Sequence, residues 1–355
     1  MPVGDFATFQ RGFDLPNQSR IEGDVPIVSS GGVSGFHNEA KVERAGLVTG
    51  RYGSIGELFY LDGPHWPLNT SLWVKDFHGN EIKFAYYLLS RIDFRSLSDK
   101  TGVPGVNRND VHKLQTAKPK LPEQQKIAAF LGAVDEKIGQ LTRKKALLED
   151  YKKGCMQQLF TQKLRFKDDQ GNDFPDWEEK KLGDVCEINP RSSALPEVFL
   201  YIDLESVSQG QLAAAKLVEK RDAPSRAQRL LEPQDILFQL VRPYQKNNYF
   251  FDNPKIHVAS TGYAQLRASK NPFFLFQLVH EQGFVNRVLE RCTGTNYPAI
   301  NSNDLAKVAI RIPHPDEQQK IADFLSAIDA KISLVADELS AAQNFKKGLL
   351  QQMFV

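Results

Sequence analysis

The sequence predicts an α+β protein made of two similar heads, each a curved β-sheet with helices. Two long helices join them, pairing as an antiparallel coiled coil about a pseudo-two-fold. Three observations predict this: a long internal repeat, an apolar seam inside it, and looser cues that recur ahead of it. The segment Glu123-Gln124-Gln125-Lys126-Ile127-Ala128 returns as Glu317-Gln318-Gln319-Lys320-Ile321-Ala322, a displacement of 194 residues (317 minus 123). From Glu123 to Ile138, 12 of 16 positions are identical in Glu317 to Ile332. The same offset pairs Lys152-Lys153-Gly154 with Lys346-Lys347-Gly348, Gln157-Gln158 with Gln351-Gln352, and Phe160 with Phe354. Two units are too few for a solenoid, which needs about three to bury its core, so the repeat describes a two-headed device.

The period of the repeat makes it a helix with a seam. Ile127, Leu131, Val134, Ile138, Leu141 and Leu148 in the first copy are spaced in steps of four and three, with Lys145 between the last two. Ile321, Leu325, Ile328, Ile332, Val335 and Leu339 match them in the second. A seam sustained in this way argues for a coiled coil. Pro122 and Pro315 stand near the starts, where a missing N–H costs nothing. Glu123, Asp316 and Glu317 follow in the first turn, where the helix dipole favours anions. At about 1.5 Å per residue, about 38 residues give a rod of roughly 57 Å. The plainer alternative is two amphipathic helices, each packed on its own domain.

The heads repeat more loosely. Each opens on Gly-Asp and an apolar residue, Gly4-Asp5-Phe6 and Gly183-Asp184-Val185. Each has an apolar strand running to an arginine and a tyrosine, Leu47 to Tyr52 and Leu237 to Tyr244. A Thr-led alternating strand follows, from Thr70 and from Thr261, and then a helical stretch, Glu81 to Phe94 and Pro272 to Arg291. Each copy closes on Thr-Gly (101–102, 293–294), Asn-Asp (109–110, 303–304) and a strand into proline. Residues Asp168 to Lys181 are charged and punctuated and are expected to link the first long helix to the second head; nothing equivalent precedes Gly4.

Composition narrows the class. A chain of 355 residues can bury two cores. A net charge of +2 supplies no overall basic field, so any nucleic-acid surface must come from charge segregated to one face. Cys155, Cys186 and Cys292 are scattered and form no CxxC, which argues against a disulfide frame or a zinc site. No apolar run reaches the length of a membrane span, and Met1 to Asp5 does not read as a signal peptide. The expected setting is the cytoplasm, with no membrane partner. Gly50, Gly53 and Gly56 have loop spacing rather than that of a dinucleotide fingerprint, and no Walker loop is present. Asn296-Tyr297-Pro298 only partly matches a methyltransferase motif and reads as a turn. Glu179-Lys180-Lys181 after Pro175-Asp176 resembles a nuclease carboxylate set only loosely, and it lies in the charged linker. The seven histidines have no ligand spacing. The chain reads as a recogniser and scaffold rather than a catalyst.

The order head, EQxxIAxFL helix ending KKGxxQQ(L/M)F, head, same helix resembles the specificity subunit of type I restriction–modification enzymes over essentially the whole chain. Further cues are WEEKKLGD at 177–184 and TGxxxPxI at 293–300. The resemblance implies a target recognition domain at 1–120, a central conserved helix at 121–165, a second target recognition domain at 166–314 and a distal conserved helix at 315–355. It implies a non-catalytic subunit that binds a bipartite, asymmetric double-stranded DNA target, two short sequences separated by a fixed gap. Two methyltransferase subunits would dock on this scaffold, and the restriction subunits would join through them. The chain itself would need no cofactor and no metal; S-adenosylmethionine, ATP and magnesium would belong to the partners. The first head departs from the pattern by lacking the tryptophan-bearing lead-in.

DNA contacts call for Lys, Arg, Ser and Thr at phosphates and for Arg, Lys, Asn or Gln at base edges. In the second head these types cluster at Arg242, Tyr244, Gln245, Lys246 and Asn247, and again at Arg291, Thr293, Thr295, Asn296, Tyr297 and Asn301. In the first, Arg51 and Tyr52 are read as the counterpart of Arg242 and Tyr244. The Gly-rich stretch bearing Ser29, Ser30 and His37 can bring backbone close to phosphates. Lys100, Thr101, Asn107 and Arg108 complete the candidates. An ordinary turn or flexible loop is the competing reading for each. The competing reading for the whole chain is a coiled-coil adaptor whose heads bind only proteins.

Overall fold

The computed structural model describes residues 1–98, 105–192, 194–208 and 210–354. The chain forms two compact units, Met1–Arg143 with Asp337–Val355, and Lys144–Ala336. Each unit therefore holds one head, the beginning of one long helix and the end of the other.

The two heads share a strand plan. In unit 1 the main sheet is antiparallel, with spatial order Thr8–Arg11, Ser71–Asp76, Gly46–Gly50, Leu58–Leu61. In unit 2 the corresponding order is Cys186–Ile188, Tyr263–Ala268, Ile236–Gln239, Tyr249–Phe250, again antiparallel. The central strands are buried on both faces, which explains why Leu47-Val48 and Leu237-Phe238 are continuous apolar runs rather than alternating ones. A second sheet also corresponds. Val25–Ser29 lies antiparallel to Gly32–His37 and parallel to Trp66–Pro67. Val198–Ile202 likewise lies antiparallel to Lys216–Glu219 and parallel to His257–Ser260, and unit 2 adds Ala227–Leu230 at that edge.

Three local expectations are corrected. The stretch Glu81 to Phe94 is a helix only over Ile82–Leu89, followed by a 3₁₀ turn at Phe94–Leu97. Pro272 to Arg291 is two helices, Pro272–His280 and Gln282–Leu289. They break at Glu281, whose extended backbone ends the first and whose carboxylate accepts the N–H groups of Gly283 and Phe284 to cap the second. The charged linker ends as structure, because Glu178–Lys181 pairs antiparallel with Ala309–Ile312. In unit 1, only Met1 to Val3 lie along the matching segment: Val3 N–H donates to Leu114 O at 2.8 Å and Met1 N to Thr116 O at 2.7 Å.

The long helices span Leu121–Phe160 and Pro315–Met353. Burial along both follows the four-three spacing, with every seam position buried or half-buried; Leu131 and Leu325 are fully enclosed. Within each unit the helix segments run antiparallel. In unit 1 Asp135 pairs with Lys346 at 2.5 Å, while Ile127, nearer the start of one helix, meets the cluster that holds Phe354, beyond the end of the other. In unit 2 Lys152 pairs with Asp329 at 2.7 Å, and Leu159 shares a core with Ile321. Asp135–Lys346 and Lys152–Asp329 are the same contact under the 194-residue offset. Each aspartate also holds its head: Tyr87 Oη donates to Asp135 at 2.7 Å, and Gln277 Nε2 to Asp329 at 2.9 Å.

The repeated Glu-Gln pair explains how each helix start is fixed. Gln124 Nε2 reaches back to Pro119 O, and Gln318 Nε2 to Pro313 O, both at 2.9 Å. Both glutamines are buried, so these bonds satisfy amides that would otherwise be costly. The preceding glutamates diverge. Glu317 is wholly buried and accepts Arg165 Nε at 3.1 Å, Arg165 Nη2 at 2.8 Å and Trp177 Nε1 at 3.2 Å. Hydrogen bonding to Glu317 raises the Arg165 pKa above its usual value. Glu123 is exposed.

Candidate nucleic-acid interface

In unit 1, four of the candidates meet in one cleft of about 590 Å³. Arg51 and Tyr52 line one side, and Asn107 and Arg108 the other. The wall forms because Val106 N–H donates to Arg51 O at 2.9 Å and Tyr52 bridges to Gly105. A Cβ at residue 105 would lie 2.9 Å from the Tyr52 ring, so a larger residue there would displace that ring. The Arg51 guanidinium lies 4.5 Å from that ring centroid, a cation–π contact that leaves its N–H donors available. Arg11, at the end of the first strand, joins the cleft. Three guanidiniums and one acid, Asp110, line the cleft, and Arg11 also pairs with Asp14 at 3.4 Å, so the lining keeps a small positive excess although the chain is nearly neutral.

A neighbouring cleft of about 620 Å³ is lined by Ser30, Gly31, Gly53, Ser54, Arg95 and Ser98 among others. Ser29 closes its turn by donating to Gly32 O at 3.1 Å. His37 is corrected: it is buried, its ring stands edge-on to Trp66 at 5.1 Å, and its Nδ1 lies 3.0 Å from Ile21 N. It packs the second sheet and is closed to DNA. Lys100 and Thr101 lie outside the described residues. Asn107 caps the helix Arg108–Lys113 through Asn109 N–H, at 3.0 Å.

In unit 2 two loops converge. Arg242 adopts a left-handed conformation (φ 54°), donates its N–H to Pro298 O at 2.7 Å, and lays its guanidinium 4.2 Å from the Tyr297 ring centroid. A non-glycine residue held there marks a position that the surroundings over-determine, as is common at functional sites. The 293–299 loop is closed by reciprocal backbone bonds between Thr293 and Ala299, at 2.9 and 3.0 Å. That closure leaves Thr293, Thr295, Asn296 and Tyr297 exposed, with Arg291 exposed just ahead of them. Tyr244 and Gln245 are also exposed, and Gln245 Oε1 accepts Gln239 Nε2 at 3.1 Å. Asn247 is half-buried.

Two further candidates also carry structural bonds. Lys246 Nζ donates to His280 O and Gln282 Oε1, both at 2.9 Å, so its ammonium fastens the loop to the helix ends. Burial lowers its pKa. Asn301 caps Ser302–Ala306: it accepts Asp304 N–H at 2.9 Å and donates to Asp304 Oδ2 at 2.7 Å. The equivalence of Arg51 with Arg242 also shifts. Arg51 O accepts Val106 N–H as Leu240 O accepts Ile300 N–H, so Leu240 is the counterpart of Arg51, and Arg242 falls opposite Gly53. Sequence reasoning missed Arg11 and Arg95, which are brought in by chain reversal without any local signal. The same holds for the Arg242–Tyr297 contact, which spans 55 residues (297 minus 242).

The type I restriction modification DNA specificity domain matches residues 1–150 and 175–343. The chain belongs to this family. Among its relatives is the Type I restriction enzyme MjaVIII specificity subunit of Methanocaldococcus jannaschii, 26% identical over 305 residues, covering 79% of this chain and 72% of that protein. The fold is that of the S subunit of a type I restriction–modification system from M. genitalium (TM-score 0.70, 16% identity, covering 100% of this chain and 95% of that one). It is also similar to a chain from a structure describing complex assembly and conformational transition of the type I R-M system (TM-score 0.52, 17% identity, 99% and 96% covered). As a specificity subunit the protein recognises DNA sequence for a type I restriction–modification system and is not its catalyst. The protein-only adaptor reading is thereby set aside. No helix among the described residues is long and apolar enough to cross a membrane.

Proposed function

We propose that the two heads read different halves of a split, asymmetric DNA target through the surfaces described above. Unit 1 uses Arg51, Arg108 and Arg11 around Tyr52. Unit 2 uses Arg242, Tyr297 and the exposed 293–297 loop. The observation that carries this is one shared strand plan bearing two dissimilar sets of donors: unlike surfaces on like frames select unlike sequences. Arginine suits both tasks, bidentate at guanine edges or at phosphates. Arg242→Ala with Tyr297→Ala is expected to cost roughly 1–3 kcal/mol per lost base contact at one half-site only. Arg51→Ala with Arg108→Ala is expected to do the same at the other. Binding to duplexes scrambled in one half at a time separates the two effects; equal weakening of both halves would refute the assignment. The slope of affinity against salt should also flatten by about one for each phosphate contact removed.

The repeated helices, with their like contacts to each head, offer two near-equivalent docking surfaces. Two methyltransferase subunits would therefore bind each specificity chain, and restriction subunits would join through them. S-adenosylmethionine, ATP and magnesium would be held by those partners. Light scattering of the purified complex is expected to give two methyltransferase subunits per chain; a clean one-to-one complex would overturn the count.

A further inference from the structure

One exposed amide beside the Arg242–Tyr297 contact is held from inside the head. The turn Pro243–Gln245 lies between two left-handed residues, Arg242 and Lys246. It is anchored on both sides: Arg242 N–H is bound to Pro298 O, and Lys246 Nζ to His280 O and Gln282 Oε1. Just beyond it, the wholly buried Asn248 accepts the Gln239 N–H on Oδ1 at 2.9 Å. Gln239 ends the strand Ile236–Gln239 and is only 5% exposed. Its Nε2 donates to Gln245 Oε1 at 3.1 Å, while its own Oε1 has no partner among the described residues. A buried carbonyl left unpaired lowers stability. What the arrangement supplies instead is direction: turning the Gln245 amide end for end would set two NH2 groups against each other. Gln245 thus keeps in solvent its Nε2 donors and the second lone pair of Oε1, in a fixed order.

Resting on the reading that this loop faces DNA, we propose that Gln245 reads one adenine in the half-site bound by unit 2, with Gln239 as the positioning residue that sets the direction of its amide. Nε2 would donate to adenine N7, and Oε1 would accept from the 6-amino group. The order of donor and acceptor decides the base. Adenine offers an acceptor beside a donor on its major-groove edge, whereas guanine offers two acceptors and would bring O6 against Oε1. A phosphate offers acceptors only, so a carbonyl fixed beside the donor would gain nothing there.

The test is equilibrium binding of the full chain, assembled with its methyltransferase, to duplexes in which each adenine of that half-site is replaced in turn. The replacements are 7-deazaadenine, which lacks N7, and a purine without the 6-amino group. At one adenine the parent should lose about tenfold in affinity with either replacement, within the discrimination that a bidentate pair supplies. Gln245→Ala should bind the natural duplex more weakly by a like factor and be indifferent to both replacements at that position. Gln245 is exposed, so its truncation leaves the fold intact. Gln239→Leu keeps the bulk of the buried side chain. It should weaken binding about threefold, the net strength of the one hydrogen bond that orients the amide. That loss should be confined to the same adenine and should vanish in the Gln245→Ala background. The dependence on salt should not change in either variant, because no phosphate contact is removed; a general loosening of the head would instead weaken other positions too. Gln245→Ala that retains the parent's response to the replacements would overturn the adenine contact, and Gln239→Leu without effect would overturn the positioning role. If Arg242→Ala with Tyr297→Ala still weakens that half-site while Gln245→Ala behaves as the parent, this inference falls and the assignment of the half-site stands. If neither has an effect, both fall.

Discussion

Arg165→Ala is expected to destabilise unit 2 by about 3 kcal/mol, at the lower end of the cost of breaking a buried ion pair. Glu317 has no exposed surface, and Arg165 supplies two of its three hydrogen bonds. Without the guanidinium, a carboxylate would remain enclosed with only the Trp177 indole as donor. Arg165 keeps about a fifth of its side chain in solvent (21%), so water can partly repair the loss, which sets the estimate at the lower end. Arg165→Lys should cost less than alanine but more than nothing, because an ammonium cannot reproduce the fork. Combining Arg165→Ala with Glu317→Gln should recover much of the loss, since a neutral amide is cheaper to leave under-bonded. Urea unfolding followed through Trp177, the one tryptophan of unit 2, reports on the right region. A loss below about 1 kcal/mol, the range of surface pairs, would show that Glu317 finds another donor.

A comparable or larger effect is expected at the seam. Leu131→Asp and Leu325→Asp each place a carboxylate at a position with no solvent exposure. They combine lost packing, about 2–5 kcal/mol for the leucine alone, with the desolvation of a charge or the cost of protonating it. Each should leave its own unit unfolded or barely folded in a thermal melt read by circular dichroism. Leu131→Ala and Leu325→Ala keep the test quantitative if the aspartates do not fold. Lys331→Ala, on the exposed side of the second helix, should stay within about 0.5 kcal/mol. Seam variants as stable as the parent would mean that the long helices are not held by this face.

The periodic and repeated parts of the fold were legible because their causes are local and occur twice. Spacing alone marked Leu131, Leu141, Leu325 and Val335 as enclosed, as they are. The head strands could be placed because Leu47-Val48 and Leu237-Phe238 are apolar on both faces. The parts that were not legible depend on where the chain returns. Nothing near Arg11 says that it will stand beside Arg51 and Arg108, and nothing near Arg242 says that it will lie on Tyr297. Asn107, Lys246 and Asn301 have residue types equally suited to DNA and to capping, and only the fold reveals the structural bond each one makes. Asp135 and Asp329 carried an available signal, identity at the repeat offset, that was not read as a tie between helix and head.

The division of each long helix between the two units has a consequence for biosynthesis. The first head is not finished when its own residues have been made. The Phe84 ring closes against Phe354, and Asp135 waits for Lys346. The first of these partners lies 270 residues downstream (354 minus 84). At roughly 5–20 residues per second, the nascent first head spends about 14–54 s with that apolar face uncovered. The second head meets no such delay, because its helix ends are made just before and just after it. Deleting residues 346–355 would therefore injure the head encoded first and spare the one encoded second.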